Sequence, residues 1–268
     1  MFANYHTHTT RCGHAQDSER EYIETGIARG LKILGFSDHA PYSFPHGYVA
    51  KGRVLESQIE EYYGTLSDLR AEYKKDIEIL IGFEAEYYPD LFGNLLRAME
   101  PYDFQYLLMG QHYIYNEYDH PIHNFSPCED PASLIQYVSQ VLEGLQTGKF
   151  TYLAHPDMKI FTGDEEIYRR EMRRLCEGVK KLGLPLEING LGMGEGRSYP
   201  SDRFFSIAGE VGNVVVIGNA AHKADKVARE DVYQKCRQMA EKYHLQVLDT
   251  VPLRGPHSEK IIGDEAIK

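Results

Sequence analysis

Tryptophan is missing from the 268 residues, and cysteine is scarce, at Cys12, Cys128, Cys176 and Cys236. No two cysteines are closely spaced, which argues against a disulfide framework and for reduced thiols. Cys12, between His8 and His14, reads as a small packed residue rather than a ligand. No apolar run approaches the length needed to cross a bilayer. Met1 leads directly into a short apolar strand, without the charged and apolar segments of a secretion signal, so a cytoplasmic location is expected. Positive charge is also short: 29 Lys and Arg against 40 Asp and Glu leave a net charge of -11. That balance lacks the basic footprint of a nucleic-acid binder, although a local cationic metal site would still attract an anion. No linker interrupts the chain, and 42% hydrophobic residues suffice for one sizeable core, so one domain over 1–268 is expected. The 20 tyrosines are too dispersed to mark a cleft.

What is present is histidine in a pattern. The stretch His6-Thr7-His8-Thr9-Thr10-Arg11-Cys12-Gly13-His14 follows a strand over 2–5. On an extended backbone, residues two apart point to one side, so His6 and His8 form half of a site for a borderline metal. The chain then alternates. Strands are expected over 31–36, 77–83, 104–109, 152–154, 184–188 and 213–217, with a short one over 246–251. Helices are expected over 19–29, 54–73, 91–99, 131–147, 164–182, 202–211 and 230–243. Loops fill 41–52 and 115–129. The glycine-rich 190–196 reads as a flexible active-site loop, and the polar tail from Pro252 as loosely held.

Seven strand-then-helix units of this kind predict parallel strands with crossover helices. Polar residues fall just after nearly every strand: Ser37-Asp38-His39, Glu84-Ala85-Glu86, Gly110-Gln111-His112, His155-Pro156-Asp157, Asn189 and Ala221-His222. That placement favours an α/β barrel with one active mouth over an open doubly wound sheet. The candidate ligands are His6, His8, His14, His39, Glu84, His112, His155 and His222. Seven imidazoles exceed what one ion can hold, so two or three divalent ions are expected, with the carboxylate able to bridge a pair. His46, His244 and His257 read as solvated; His120 and His123, in the loop after His112, could face the site, with a role outside it favoured.

Together His6-x-His8, Ser37-Asp38-His39, Glu84, Gly110-Gln111-His112, Ala154-His155-Pro156 and Ala221-His222-Lys223 resemble the polymerase and histidinol phosphatase (PHP) superfamily, from residue 4 to about 225. The Cys12-Gly13-His14 spacing is similar to its histidinol-phosphate phosphatase branch. The resemblance implies a distorted (β/α)7 barrel with a trinuclear site of Zn, Mn or Fe. His6, His8 and Glu84 would hold the first ion, Glu84, His112 and His155 the second, and His14, His39 and His222 the third. Where the family carries an aspartate two residues before the last histidine, this chain has Ala220. A methyl group neither ligates nor orients a water, which implies an inactivated version or a natural one with altered activity.

The expected reaction is hydrolysis of L-histidinol phosphate, with clustered ions lowering the pKa of a water that attacks phosphorus and neutralising phosphate oxygens. Arg197 is the first choice for a phosphate contact, ahead of Lys159 and Arg11. Glu86, Asp157 and Asn189 stand either as polar substrate contacts or as partners that orient the ligand histidines. Two alternatives remain: a nuclease-type phosphodiesterase, disfavoured by the acidic charge, and a non-catalytic metal- or phosphate-binding protein.

Overall fold

The computed structural model describes residues 1–259. Positions 260–268, the end of the tail and of the expected single domain, lie outside the described residues. Eight parallel strands run in sequence order: β1 (Ala3–Asn4), β2 (Ile33–His39), β3 (Glu78–Ala85), β4 (Tyr106–Met109), β5 (Tyr152–Leu153), β6 (Leu186–Asn189), β7 (Val214–Gly218) and β8 (Gln246–Val247). The helices between them are α1 (Glu19–Ala28), α2 (Ile59–Tyr73), α3 (Pro89–Met99), α4 (Pro131–Gln146), α5 (Glu165–Lys181), α6 (Gly190–Glu195), α7 (Asp202–Val211) and α8 (Glu230–Lys242). Local sequence sets many of the boundaries. Ser18 and Glu21 form a capping box on α1, Asp164 accepts from the Glu166 and Ile167 amides at the start of α5, and Ser201 caps α7.

The sheet curls on itself. Beyond β1, Thr7 bridges Ala221 beyond β7: the His8 amide donates to the Ala221 carbonyl at 2.9 Å, and the Ala221 amide to the His6 carbonyl at 3.1 Å. Lower down, the first residues of β7 pair instead with β8, Val214 opposite Gln246. The mouth is therefore a seven-strand ring and the eighth strand a short addition, which matches the distorted (β/α)7 barrel that the family resemblance implies. Strand alternation sorts the side chains. Leu34, Phe36, Ile79, Ile81, Leu186, Ile188, Val215 and Ile217 face the helices, while Tyr5, Leu80, Tyr106, Leu108, Tyr152 and Val216 fill the barrel.

Three expectations change. The glycine-rich stretch is not a flexible loop: Asn189 accepts from the Gly192 amide and starts α6, and Gly196 ends it in the left-handed conformation. Helix α2 starts at Ile59, because 53–54 is pulled back to β2 by the Val54 amide, which donates to the His39 carbonyl at 3.2 Å. The tail is docked as far as Ser258. The Arg254 carbonyl accepts from the Leu107 amide at 2.8 Å and the Thr151 hydroxyl at 2.9 Å, and Lys149 Nζ donates to the Pro256 carbonyl at 2.9 Å. Among the described residues no helix is long and apolar enough to cross a membrane.

Candidate metal centre

Register carries the predicted ligands to one mouth. His39 ends β2 opposite Glu84 of β3, and Asn189 ends β6 opposite Gly218 of β7. Glu84 is buried and forms the hub. Its Oε2 lies 3.3 Å from His6 Nε2, 3.5 Å from His8 Nε2 and 3.2 Å from His39 Nδ1. Its Oε1 lies 2.7 Å from His155 Nε2 and 3.4 Å from His112 Nε2. The carboxylate fits because Gly110 beside it has no Cβ, which would overlap Glu84 Oε1. His14 and His222 complete the set, with their Nε2 atoms 3.0 Å apart. All seven imidazoles line one cavity of about 390 Å³.

This donor set fits cations. His6 Nε2, His8 Nδ1 and His155 Nδ1 are buried with no hydrogen-bond partner, unusual for protein interiors. Among the described residues, four groups have potential ligand atoms within 4.8 Å of one another: His6–Glu84–His155, His8–His39–Glu84, His14–His39–His222 and His8–Cys12–His222. The third is the His14, His39 and His222 trio implied by the family resemblance. The first two divide the remaining ligands differently from the implied partition, with His155 beside His6 and His39 beside His8. Cys12 is buried next to His8 and His222.

Charge balance points the same way. Burial opposes a proton on His6, but Glu187 and Glu84 outweigh it and raise its pKa to about 10. Burial and neighbouring imidazoles push His8 and His39 well below the ordinary value, so both stand neutral as ligands must be. Burial works against charge on Glu84 too, but His112, His6, His39 and His155 hold its carboxyl well below the usual range.

Carboxylates behind these histidines fix their tautomers. His112 Nδ1 donates to Glu86 at 2.6 Å and His6 Nδ1 to Glu187 at 2.7 Å, turning each Nε2 toward Glu84. Glu187 also accepts from the His155 amide at 2.9 Å and from Asn189 Nδ2 at 2.8 Å. Glu86 thus bonds a candidate ligand histidine directly, whereas Asn189 reaches His6 only through Glu187. Asp157 instead accepts from the Ser201 amide at 2.6 Å, behind α7. Sequence reasoning missed Glu187, although a lone acid at inward parity inside the apolar run Leu186–Ile188 was a usable signal. It also missed Arg53, which no pattern in its loop marks.

Of the three cations singled out, only Arg197 lines the cavity, held by Glu195 at 2.7 Å and the Tyr199 hydroxyl at 3.0 Å. Arg11 is bound to Glu19 and Glu61 and lies outside the cavity lining, a correction to its role as a phosphate ligand. Lys159 is buried and likewise outside that lining. His123, for which facing the site was the less favoured alternative, lines the cavity, stacked on Phe125 at 4.4 Å, with Phe125 stacked on Tyr199 at 5.5 Å. Ala220 lines the cavity too, nearly fully buried, with φ of 43°.

A parallel barrel with an imidazole-and-carboxylate mouth is an architecture able to hold metal ions at the strand ends. The PHP domain family matches over residues 4–190, and the chain belongs to that family. The matched stretch ends before Ala220 and His222. A protein named probable histidinol-phosphatase from Deinococcus radiodurans is 26% identical over 227 residues, covering 83% of this chain and 86% of its own. The histidinol-phosphatase of Bacillus subtilis is 24% identical over 264 residues, covering 86% and 98%. The crystal structure of the Lactococcus lactis histidinol phosphate phosphatase, complexed with zinc, L-histidinol and phosphate, superposes with a TM-score of 0.70 at 18% identity, covering 93% and 98%.

Proposed function

We propose that this chain hydrolyses L-histidinol phosphate to L-histidinol and phosphate, a step of histidine biosynthesis in the cytoplasm. It would use two or three divalent ions (zinc, manganese or iron) held by His6, His8, His14, His39, Glu84, His112, His155 and His222. One observation carries the reading: Glu84 has five imidazole nitrogens within 3.5 Å at the mouth of a PHP barrel. The names of the two curated relatives and the product complex of the Lactococcus lactis enzyme support the substrate. Bound ions would supply the positive charge that phosphoryl oxygens need and the Lewis acidity that activates water.

The chain's own residues do the rest. Glu86 and Glu187 hold His112 and His6 in the tautomer that aims Nε2 inward. Arg197 stands on the cavity wall as the phosphate-gripping group, released from Glu195 as phosphate enters. The stacked His123, Phe125 and Tyr199, with Glu117 and Glu195 nearby, give a planar and acidic wall suited to the substrate's imidazole and ammonium.

Ala220 favours a second reading, a protein that binds metal and phosphate without turning substrate over. It occupies the position of the family aspartate and leaves the first ion without that acid. Phosphate release from histidinol phosphate, measured for the chain and for Ala220→Asp with metal content determined on both, separates the readings. A catalyst impaired at one position gains activity with Asp; a binder stays inactive with both. Hydrolysis of a phosphodiester in preference to the monoester would move the assignment to the nuclease branch.

A further inference from the structure

Arg53 is buried within the wall of the cavity, and the reaction outlined above gives it no part. Its guanidinium grips Glu86 with two parallel bonds, 2.9 Å to Oε2 and 2.8 Å to Oε1. Its Nε donates to Glu117 at 2.5 Å. Tyr42 and Tyr88 flank it, with ring centroids 5.6 Å and 6.0 Å from the guanidinium carbon. The next residue, Val54, is tied through its amide to the carbonyl of His39. One side chain therefore joins three segments: the loop after β2 that follows His39, the end of β3 at Glu86, and the loop after β4 that holds His112 and Glu117.

Glu86 has two tasks that compete unless its position is fixed. Its Oε1 accepts from both Arg53 and His112 Nδ1. Free to rotate, the carboxylate would release His112, whose ring could then turn or shift its proton to Nε2. Nε2 is the atom facing Glu84, 3.4 Å from Oε1. A planar guanidinium bonded through both terminal nitrogens removes that rotation, as a lysine ammonium would not.

We propose that Arg53 is a positioning residue: by clamping Glu86 it holds His112 in the Nδ1–H tautomer and so sets the affinity of the His112 side of the centre for its ion. The inference rests on the metal reading of the site, and its test distinguishes the two failures. Zinc and cobalt(II) binding are titrated on the full chain and on Arg53→Met and Arg53→Lys, with circular dichroism to confirm the fold. The expected result is that Arg53→Met loses affinity for one ion by roughly 10- to 100-fold, the range for severed carboxylate–histidine support. Arg53→Lys should recover only part of it. The cobalt(II) visible spectrum should change for that ion alone. Equal affinities in folded variants would overturn the inference. No binding by the unaltered chain would instead overturn the metal reading. Should Arg53→Met fail to fold, Arg53→Lys still decides, because it keeps the charge but not the two parallel bonds to Glu86, and unaltered zinc affinity in that folded variant overturns the inference.

Discussion

His14 and His222 face one another through their Nε2 atoms at 3.0 Å, while each Nδ1 is turned to a carbonyl, Cys12 at 3.0 Å and Ala220 at 2.8 Å. With both Nδ1 atoms turned to carbonyls, the two Nε2 atoms are aimed at one point, where a shared cation would bind. Replacing either histidine should therefore cost one ion. His222→Asn is expected to bind about one ion fewer per chain than the unaltered protein, with the fold unchanged, as read by elemental analysis and circular dichroism. Unaltered stoichiometry would place the ion elsewhere.

Glu187 holds His6, the His155 amide and Asn189 together beneath the centre. Glu187→Gln keeps the shape but lets the amide present its NH2 to His6. A loss of about 10- to 100-fold in metal affinity is expected from isothermal titration. A change below twofold would show that His6 needs no such partner.

Gly110 lies against Glu84, and Gly218 stands in the same relation to Glu187. A methyl at Gly110 would displace the hub carboxylate itself. Gly110→Ala should abolish metal binding and lower stability by about 1–3 kcal/mol, the usual cost of overpacking a buried site, in urea denaturation of the metal-free protein. Retained binding would mean that Glu84 has room to move.

Proton release follows from His6. In the metal-free protein its pKa stands at about 10, since Glu187 and Glu84 outweigh burial, so it carries a proton at pH 8 that a ligating imidazole must give up. Zinc binding at pH 8, titrated in buffers of different ionisation heat, should release about one proton per chain through this residue. The sign for stability is fixed by the same shift. A histidine raised above its unfolded value of 6.5 stabilises fully below that value, and its contribution is lost as pH rises toward 10. Metal-free protein should accordingly weaken between pH 7 and 10, and metal-loaded protein much less.

Ala220 takes a φ of 43°, a conformation that costs a non-glycine residue roughly 1 kcal/mol and that aspartate and asparagine tolerate better. Ala220→Asp should thus fold at least as well as the unaltered chain while supplying the missing acid. Phosphate release should rise by on the order of 100-fold, the scale of a positioned acid-base group. Equal rates would remove the catalytic role assigned to that carboxylate.

Much of this centre was legible in the sequence because ligands at barrel strand ends follow a one-dimensional rule. A polar residue just after each apolar run lands on the mouth: most of the seven histidines were chosen that way, His14 from its motif beside His6 and His8, and all seven line the cavity. The rule is silent about loops. Arg53 and His123 reach the cavity through turns no periodicity encodes, and Arg11 is taken up by Glu19 and Glu61, partners brought together by helix packing. Helix α6 was hidden because glycine at Gly190, Gly192 and Gly194 argues against a helix on propensity. Its start is dictated by the Asn189 cap, and Gly192 has no room for a Cβ against Tyr199.

The most direct measurement is a crystal structure of zinc-loaded protein with anomalous diffraction recorded at the zinc edge. Two or three peaks are expected, at least one within coordinating distance of Glu84 and another between His14 and His222. An electron-density map with these imidazoles intact and no anomalous peak among them would contradict the account.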